Sequence, residues 1–507
     1  MQLQPKTMTP ISTAERVILF ICVSLVTFMM VLDYSIANIA IPYISGDLAV
    51  SNDEGTYVIT SFAVGNAIGL ILTGWLTKRV GQIRLIVIST GLFTLLSALC
   101  GFSSSLGMLV INRFIQGLVS GPIVPLSQSL LLSYGTKESK ARDLAFWSTI
   151  VITAPVVGPI LGGYISDYYR WSWIFYINIP FGLACMIIFW VMMKNRETAT
   201  DKTPADYIGI LLLSLGVAAL QIFLDKGQNW DWWNSHLIQI LACLTVVAFT
   251  YLFIQEYWHK EPFIALRLFK IPSFTLAMAC LFISYGIYFG TVVLVPLWLQ
   301  EYMDYSAEKA GLAVAALGIA PTLLSFTTPL FVKWIGNAAT LSISFAFFAI
   351  ACFCSAFFTT EVSLGIIAGA RFLFGFGFVY YISPLFGLST EDIPPNDLPM
   401  AMGMFHFCRS MVGGIGTSVF TTLWIRRTYF HHERLGELLT RFNPITPEAA
   451  NLPSLALLNR ALDQQAAMLA MNDTFYLMGW IFSGLLAVLG VWLLLPKQKS
   501  RTRASLP

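Results

Sequence analysis

Two ionisable side chains stand inside apolar segments long enough to cross a bilayer: Asp33 in the first such segment, and Arg113 in the run from Leu106 to Leu132. A charge at that depth is costly and persists where it faces the protein interior or a wet cavity, so each residue marks a candidate functional site. A carboxyl group so placed can take up and release a proton. A cation beside it and the loss of water act on that proton in opposite senses, which makes it responsive to conformation. Counted along a helix, Asp33 lies about 12 Å and Arg113 roughly 9 Å from the outer end of its span, so the two share a depth. The blander alternatives are that Asp33 braces its helix without titrating, and that Arg113 ties two helices together through backbone carbonyls.

Arg113 opens the stretch Arg-Phe-Ile-Gln-Gly-Leu-Val-Ser-Gly-Pro, which contains Gln116 and Gly117. Arg371-Phe-Leu-Phe-Gly375 repeats the Arg-x-x-x-Gly spacing 258 positions later, and the same offset carries Pro155 and Gly158 onto Gly413 and Gly416. Internal repeats around a site near the bilayer midplane are the sequence mark of secondary transporters. The Gly158-Pro159 and Gly162-Gly163 pairs give a small-residue face with a kink, which lets another helix approach closely; a gating seam and plain packing predict the same residues.

These residues must be positioned by a polytopic membrane chain. Of 507 residues 56% are hydrophobic and only 11% charged, more apolar surface than a soluble core could hide. The net charge of +3 and the lack of a basic tract argue against a nucleic-acid partner. Apolar runs predict an all-α integral membrane protein with about fourteen spans, near 17–41, 53–77, 83–103, 107–131, 144–166, 173–193, 207–224, 235–256, 273–299, 309–332, 338–359, 363–387, 400–424 and 474–496. With the N-terminus inside, inside segments hold 19 lysines and arginines and the short outside loops only Arg170, Lys226 and Lys309, which predicts both termini in the cytoplasm. The repeat then divides the chain into a six-helix bundle over 1–206, two inserted helices over 207–258, and a second six-helix bundle over 259–507. A long outer loop at 425–472 belongs to the second bundle. It carries two helical patterns, Leu435, Leu438, Leu439 and Phe442, then Leu455, Leu458, Leu462 and Leu469, that fit either a docking surface or helices lying on the membrane.

The eight cysteines all fall in apolar segments and the five histidines lack metal-ligand spacing on one helix, so neither disulfides nor a metal site is expected. No intramembrane Ser/His, His/Glu or paired-Asp arrangement suggests an enzyme. At the inside surface, the loop Ser389 to Pro399 carries Glu391, Asp392 and Asp397 without a basic residue. Ion pairs from these acids to Lys78 and Arg79 across the bundles would hold an outward-open state. Equally, Asp397 would simply start the next helix as its N-cap.

In sum these residues resemble the major facilitator superfamily, and within it the fourteen-helix drug:proton antiporter branch. Leu32-Asp33 through Asn38 to Pro42 is similar to that branch's first-helix motif, Gly74 to Gly81 to its loop motif, Arg113 to Pro122 to its fourth-helix motif, Ala154 to Gly163 to its antiporter motif, and Trp173 to Pro180 to the start of its sixth helix. Two departures stand out: Lys78 replaces the usual aspartate of the loop motif, and His406 an asparagine on the thirteenth helix. The resemblance implies proton-coupled efflux of hydrophobic compounds across the inner membrane, with no cofactor beyond the proton gradient. Asp33 and Arg113 would couple the proton; Tyr34, Asn38, Tyr285, Tyr288, Phe289, Tyr381, Phe405, His406 and Arg409 would line the substrate site. Lys78, Arg79, Gly81, Gln116, Gly117, Pro155, Gly158, Pro159, Gly162, Gly163, Arg371 and Asp397 would gate or brace it. The long outer loop resembles that of inner-membrane members of tripartite exporters, which implies a periplasmic adaptor of the membrane-fusion kind and an outer-membrane channel as partners. Export of an endogenous metabolite such as a siderophore is the alternative within transport.

Overall fold

The computed structural model describes residues 12–134, 140–198, 200, 207–227, 230–258, 266–394, 397–438 and 455–494, apart from some side chains within these ranges. Among the described residues all regular structure is helical. The chain begins with α1 (Thr13–Asp47), the single turn α2 (Asn52–Gly55), α3 (Tyr57–Val80) and α4 (Gln82–Gly101). It continues through α5 (Leu106–Ser120), α6 (Ile123–Tyr134), α7 (Lys140–Tyr168), α8 (Trp173–Tyr176) and α9 (Asn178–Met193). Then come α10 (Tyr207–Lys226), α11 (His236–Trp258), α12 (Pro272–Glu301), α13 (Ala307–Leu324), α14 (Thr328–Ile335) and α15 (Asn337–Ser355). The last four are α16 (Leu364–Val379), α17 (Ile382–Thr390), α18 (Leu398–Leu438) and α19 (Leu455–Leu494). Eleven helical segments among the described residues are long and apolar enough to cross a membrane.

Local chemistry accounts for the ends. Ser12 and Ser51 each form a reciprocal cap with a glutamate three residues on, Glu15 and Glu54, which satisfies donors that a helix start would otherwise leave bare. Gly81 and Gly336 separate consecutive helices at φ of 97° and 85°, a region that favours glycine. The expected spans at 107–131 and 363–387 are each interrupted, after Ser120 and after Val379, so the breaks follow Arg113 and Arg371 at nearly the same interval. The helical patterns expected in the outer loop continue the spans: α18 runs on to Leu438 and so takes in Leu435 and Leu438, and α19 starts at Leu455 and takes in the second pattern, while Leu439 and Phe442 lie outside the described residues.

The pattern of neighbours repeats. In the first part α7 packs on α1, α5 on α3 and α4 on α9; in the last part α18 packs on α12, α16 on α13 and α15 on α19. The parts are joined chiefly where α7 lies along α13 and α18 along α3, and less extensively where α1 meets α12. Glycines permit these approaches, since a methyl on Gly117 would sit 2.1 Å from the Phe62 carbonyl and one on Gly416 2.2 Å from that of Gly286. The pair α10·α11 packs on itself and touches α3 and α18 through α10. Much of its surface is exposed apolar side chain, such as Leu211, Ile240, Val246 and Tyr251, as lipid-facing helices require.

Candidate functional site

Asp33 meets Arg113. Both side chains are fully buried, and the carboxylate Oδ2 accepts from the guanidinium Nη1. The other carboxylate oxygen accepts from Asn178 Nδ2 at 2.8 Å. Arg113 also donates through Nη1 to Gln116 Oε1 at 2.8 Å and through Nε to the Val58 carbonyl at 3.2 Å, while Gln116 Nε2 donates to Ser97 Oγ at 2.8 Å. Helices α1, α3, α4, α5 and α9 thus each contribute one polar partner or more. Both carboxylate oxygens and the Nε and Nη1 of Arg113 are thus met, while Nη2 is buried without a partner; breaking such a pair from one side costs about 3–5 kcal/mol. The guanidinium carbon also lies 4.2 Å from the Phe62 ring centroid and 5.4 Å from that of Phe175.

Phe62 connects this pair to a second group. Its ring centroid is 5.6 Å from that of Tyr34, which follows Asp33 on α1 but leaves the helix on another side. Tyr34 in turn meets Phe289 of α12 at 5.1 Å, and Phe289 meets Tyr285 at 5.0 Å and Tyr288 at 5.2 Å. Arg409 of α18 lies over Tyr285 at 5.9 Å, and among the described residues no carboxylate pairs with it. Five expected residues therefore converge: Tyr34, Tyr285, Tyr288, Phe289 and Arg409. Phe62 and Asn178, each in direct contact with the ion pair, were not among the expected site residues: Phe62 is one aromatic in an apolar run, and Asn178 falls within the Trp173 to Pro180 motif without being singled out there.

Other expected residues stand elsewhere. Tyr381 is fully buried, its hydroxyl 2.6 Å from Ser284 Oγ and its ring against Phe345, Phe348 and Phe378, so it joins α12 to the α16–α17 break. Phe405 is likewise fully buried against Phe386, and His406 packs on the same ring with Nδ1 unpartnered. Asn38 donates only to carbonyls of its own helix. Arg371 repeats the position of Arg113 but not its chemistry: it is buried, with Nε and Nη1 unpartnered and the rings of Phe475 and Phe374 at 5.1 and 5.6 Å.

The expected pair of Arg79 with the acidic loop is not formed among the described residues. Asp397 pairs with Arg267 at 2.5 Å, Glu391 accepts from Asn337 at 3.4 Å, and Arg79 lies over Trp75. The side chains of Lys78 and Pro155 lie outside the described residues. In place of the missing loop-motif acid, Glu197 accepts the backbone N–H groups of Ile83 and Arg84 at 3.0 and 2.8 Å and so caps α4; a methyl on Gly81 would collide with its carboxylate. The small residues of α7 serve two neighbours: Gly158 and Gly162 lie against Ser35 and Ile36 of α1, and Gly163 against Ala307 and Glu308 of α13. Pro159 offers its carbonyl to the space beside Gly311.

A buried carboxylate–guanidinium pair thus lies between packed apolar helices, and the matching arginine in the last part stands among aromatic rings instead. A family model described as Major Facilitator Superfamily matches residues 23–417. This chain belongs to the Major Facilitator Superfamily. It is 41% identical to the multidrug export protein EmrB of Escherichia coli (strain K12), over 96% of this chain and 97% of that one. It is 36% identical to the fatty acid resistance protein FarB of Neisseria gonorrhoeae, again over 96% and 97%. Among solved structures, a D-xylose-proton symporter superposes with a TM-score of 0.61 at 12% identity, covering 97% of this chain and 100% of its own. An auto-inhibited POT-family peptide transporter does so at 0.65, with 12% identity and 96% and 99% covered. These last two speak to the superfamily fold, which the helix packing shares.

Proposed function

We propose that this superfamily member is a proton-coupled multidrug efflux transporter of the inner membrane, and that Asp33 carries the proton. The observation that carries the reading is the Asp33–Arg113 pair, sealed from solvent and joined through Phe62 to the aromatic group at the junction of the two parts. Protonation of Asp33 would cancel its charge and leave Arg113 to its neutral partners and the Phe62 face. Phe62 and Tyr34 would carry that change to Phe289.

The reading extends to architecture. Fourteen crossings, with α3, α7 and α18 completing the set, would form two six-helix halves, 1–206 and 259–507, around the inserted helices of 207–258, with both termini cytoplasmic. On that orientation the face holding Asp47, Asp167 and Ala307 is periplasmic. Contacts between the halves there include Asp167 with the start of α13 and Gln300 with the Ile39 carbonyl at 3.2 Å. At the opposite face the ion pairs Arg16–Asp143, Arg196–Glu15 and Arg267–Asp397 each stay within one half. This pattern supports a conformation closed outside and open toward the cytoplasm.

The substrates proposed are bulky hydrophobic compounds. Tyr34, Tyr285, Tyr288 and Phe289 supply apolar faces, and the half-buried Arg409 supplies a cation for an anionic head group. The outer ends of α18 and α19 are proposed to dock a periplasmic adaptor that leads to an outer-membrane channel.

The test is proton release from purified protein in weak buffer on addition of a lipophilic probe, with oleate and tetraphenylphosphonium tried in parallel. The parent should release protons on binding, Asp33→Asn should release none while still binding the probe, and Asp33→Glu should keep some release at a shifted pH. Equal release from the parent and Asp33→Asn would place the coupling residue elsewhere.

A further inference from the structure

The C-terminal end of α7 makes a contact that neither the motif reading nor the proton site uses. Asp167 lies one residue before the end of that helix and reaches across to the first turn of α13, 140 positions along the chain. Its Oδ1 accepts the Ala307 N–H at 3.2 Å and its Oδ2 the Glu308 N–H at 2.7 Å. The Tyr43 hydroxyl of α1 donates to Oδ1 at 2.5 Å. The first turn of a helix leaves its N–H groups without intrahelical partners. In α13 the third of these goes to its own cap, Ser306 Oγ, at 3.4 Å; the first two go to Asp167. The capping of α13 is thus divided between α13 itself and α7.

The small residues of α7 make so short a reach possible. A methyl on Gly163 would stand 2.5 Å from the Ala307 carbonyl, and one on Gly311 2.1 Å from the Pro159 carbonyl, so the two helices touch backbone to backbone one turn below the carboxylate. Tyr168 adds a longer hydroxyl contact to Glu308 at 3.4 Å. Trp171 Nε1 donates to Asp47 at 2.7 Å and holds the end of α7 to the end of α1.

We infer that Asp167 is the clasp of the periplasmic gate: its carboxylate holds α7 to the start of α13 while the outer side is closed and releases it each time that side opens. The inference rests on the proposed efflux function, in which the closed outer side must open to release substrate and the molecule alternates between two open sides. The chemistry suits a contact that must break repeatedly. Both the carboxylate and the freed N–H groups lie at the end of their helices, where water can replace each bond as it is lost, so release leaves no buried polar group bare. A carboxylate facing a helix N-terminus also gains from the dipole, which strengthens the closed form beyond the bonds themselves. Gly163 and Gly311 then act by bringing the clasp within reach.

The experiment measures the gate directly. Nitroxide labels at Tyr169→Cys and Lys309→Cys, both exposed sites flanking the clasp, report its opening in the full chain in nanodiscs, with the exposed Cys243 and Cys354 changed to serine. Pulsed distance measurements should find a short and a long separation in the parent. Loss of a charge-assisted bond should raise the long-to-short ratio about tenfold in Asp167→Ala. Asp167→Asn, which keeps one acceptor oxygen, and Tyr43→Phe, which removes only the hydroxyl, should shift it in the same direction by less. These milder variants answer the question even if Asp167→Ala does not fold. Transport should fall in each while probe affinity in detergent stays at the parental level. Two separations in an unaltered ratio in Asp167→Asn and Tyr43→Phe would overturn the clasp alone. A single separation in the parent and every variant would overturn the alternating reading, and the clasp with it.

Discussion

Arg113 and Arg371 occupy matching places in the two parts of the chain, yet only one of them has a carboxylate. Arg113 is met by Asp33, Gln116 and the Val58 carbonyl, whereas two of the Arg371 nitrogens have no partner and its positive charge rests on the faces of Phe374 and Phe475. Replacing each with methionine separates the two cases. Arg113→Met strands the buried Asp33 carboxylate and should destabilise the folded protein by about 3–5 kcal/mol. Arg371→Met removes a buried charge without a carboxylate partner among the described residues and loses ring contacts, so its effect in either direction should stay within about 2 kcal/mol. Thermal unfolding in detergent measures both; an equal loss in the two would mean that Arg371 has a partner of comparable strength. The sequence made Asp33 and Arg113 stand out because a charge in an apolar run is conspicuous and helical rise converts position into depth. It could not make Phe62 stand out. One phenylalanine among 38 has no such signature, and its place between Arg113 and Tyr34 depends on how α3 rotates.

The helices themselves were legible where hydrophobic length decides them, and less so where backbone geometry or small side chains do. The breaks after Ser120 and Val379 lie within unbroken apolar runs, so composition alone does not reveal them. The projecting parts of α18 and α19 are legible as helix from their period, but their continuity with the spans is not, because polarity rises beyond residues 424 and 474. Their packing uses Ala466, Ala467 and Ala470, which are buried, whereas Leu469 of the expected apolar face is exposed. Alanine gives a weak hydropathy signal and a strong packing effect, since it lets helices approach closely. The same principle makes α7 sensitive. Gly311→Val would press a branched side chain against the Pro159 carbonyl and should cost about 1–3 kcal/mol of the closed arrangement. Gly369→Val, where a Cβ meets nothing within 4 Å, should be nearly silent. Transport assayed in proteoliposomes should therefore fall for Gly311→Val and persist for Gly369→Val. Equal activity in the two would show that close approach of α7 and α13 is not needed for the cycle.

At the scale of the whole molecule, the buried Asp33–Arg113 pair lies in the first part of the chain, and the aromatic group draws on both. The projecting ends of α18 and α19 belong to the last part, so they can be altered without touching Asp33. Those ends form a braced unit. Asp473 accepts from both Arg427 and His431, Asp463 meets His432 at 3.2 Å, and Trp424 Nε1 donates to the Ala467 carbonyl at 3.2 Å. Arg460 pairs with Asp304 at 2.5 Å and Gln465 donates to Thr360 at 3.0 Å, which ties the unit to the connections after α12 and after α15. Helix rise carries α18 about 20 Å past residue 424, farther than a plain connection between two spans needs. The exposed polar side chains of Glu433, Arg434, Glu437 and Asn459 then suit a polar partner more than a lipid surface. Removing residues 433–463 and joining the stumps with a short Gly-Ser linker should leave probe-induced proton release intact in purified protein. In cells the same deletion should abolish photo-crosslinking of the chain to the proposed adaptor and with it drug resistance. Resistance that survives the deletion would show that the projecting helices do not form the docking surface, while loss of proton release would show that they brace the transport cycle itself.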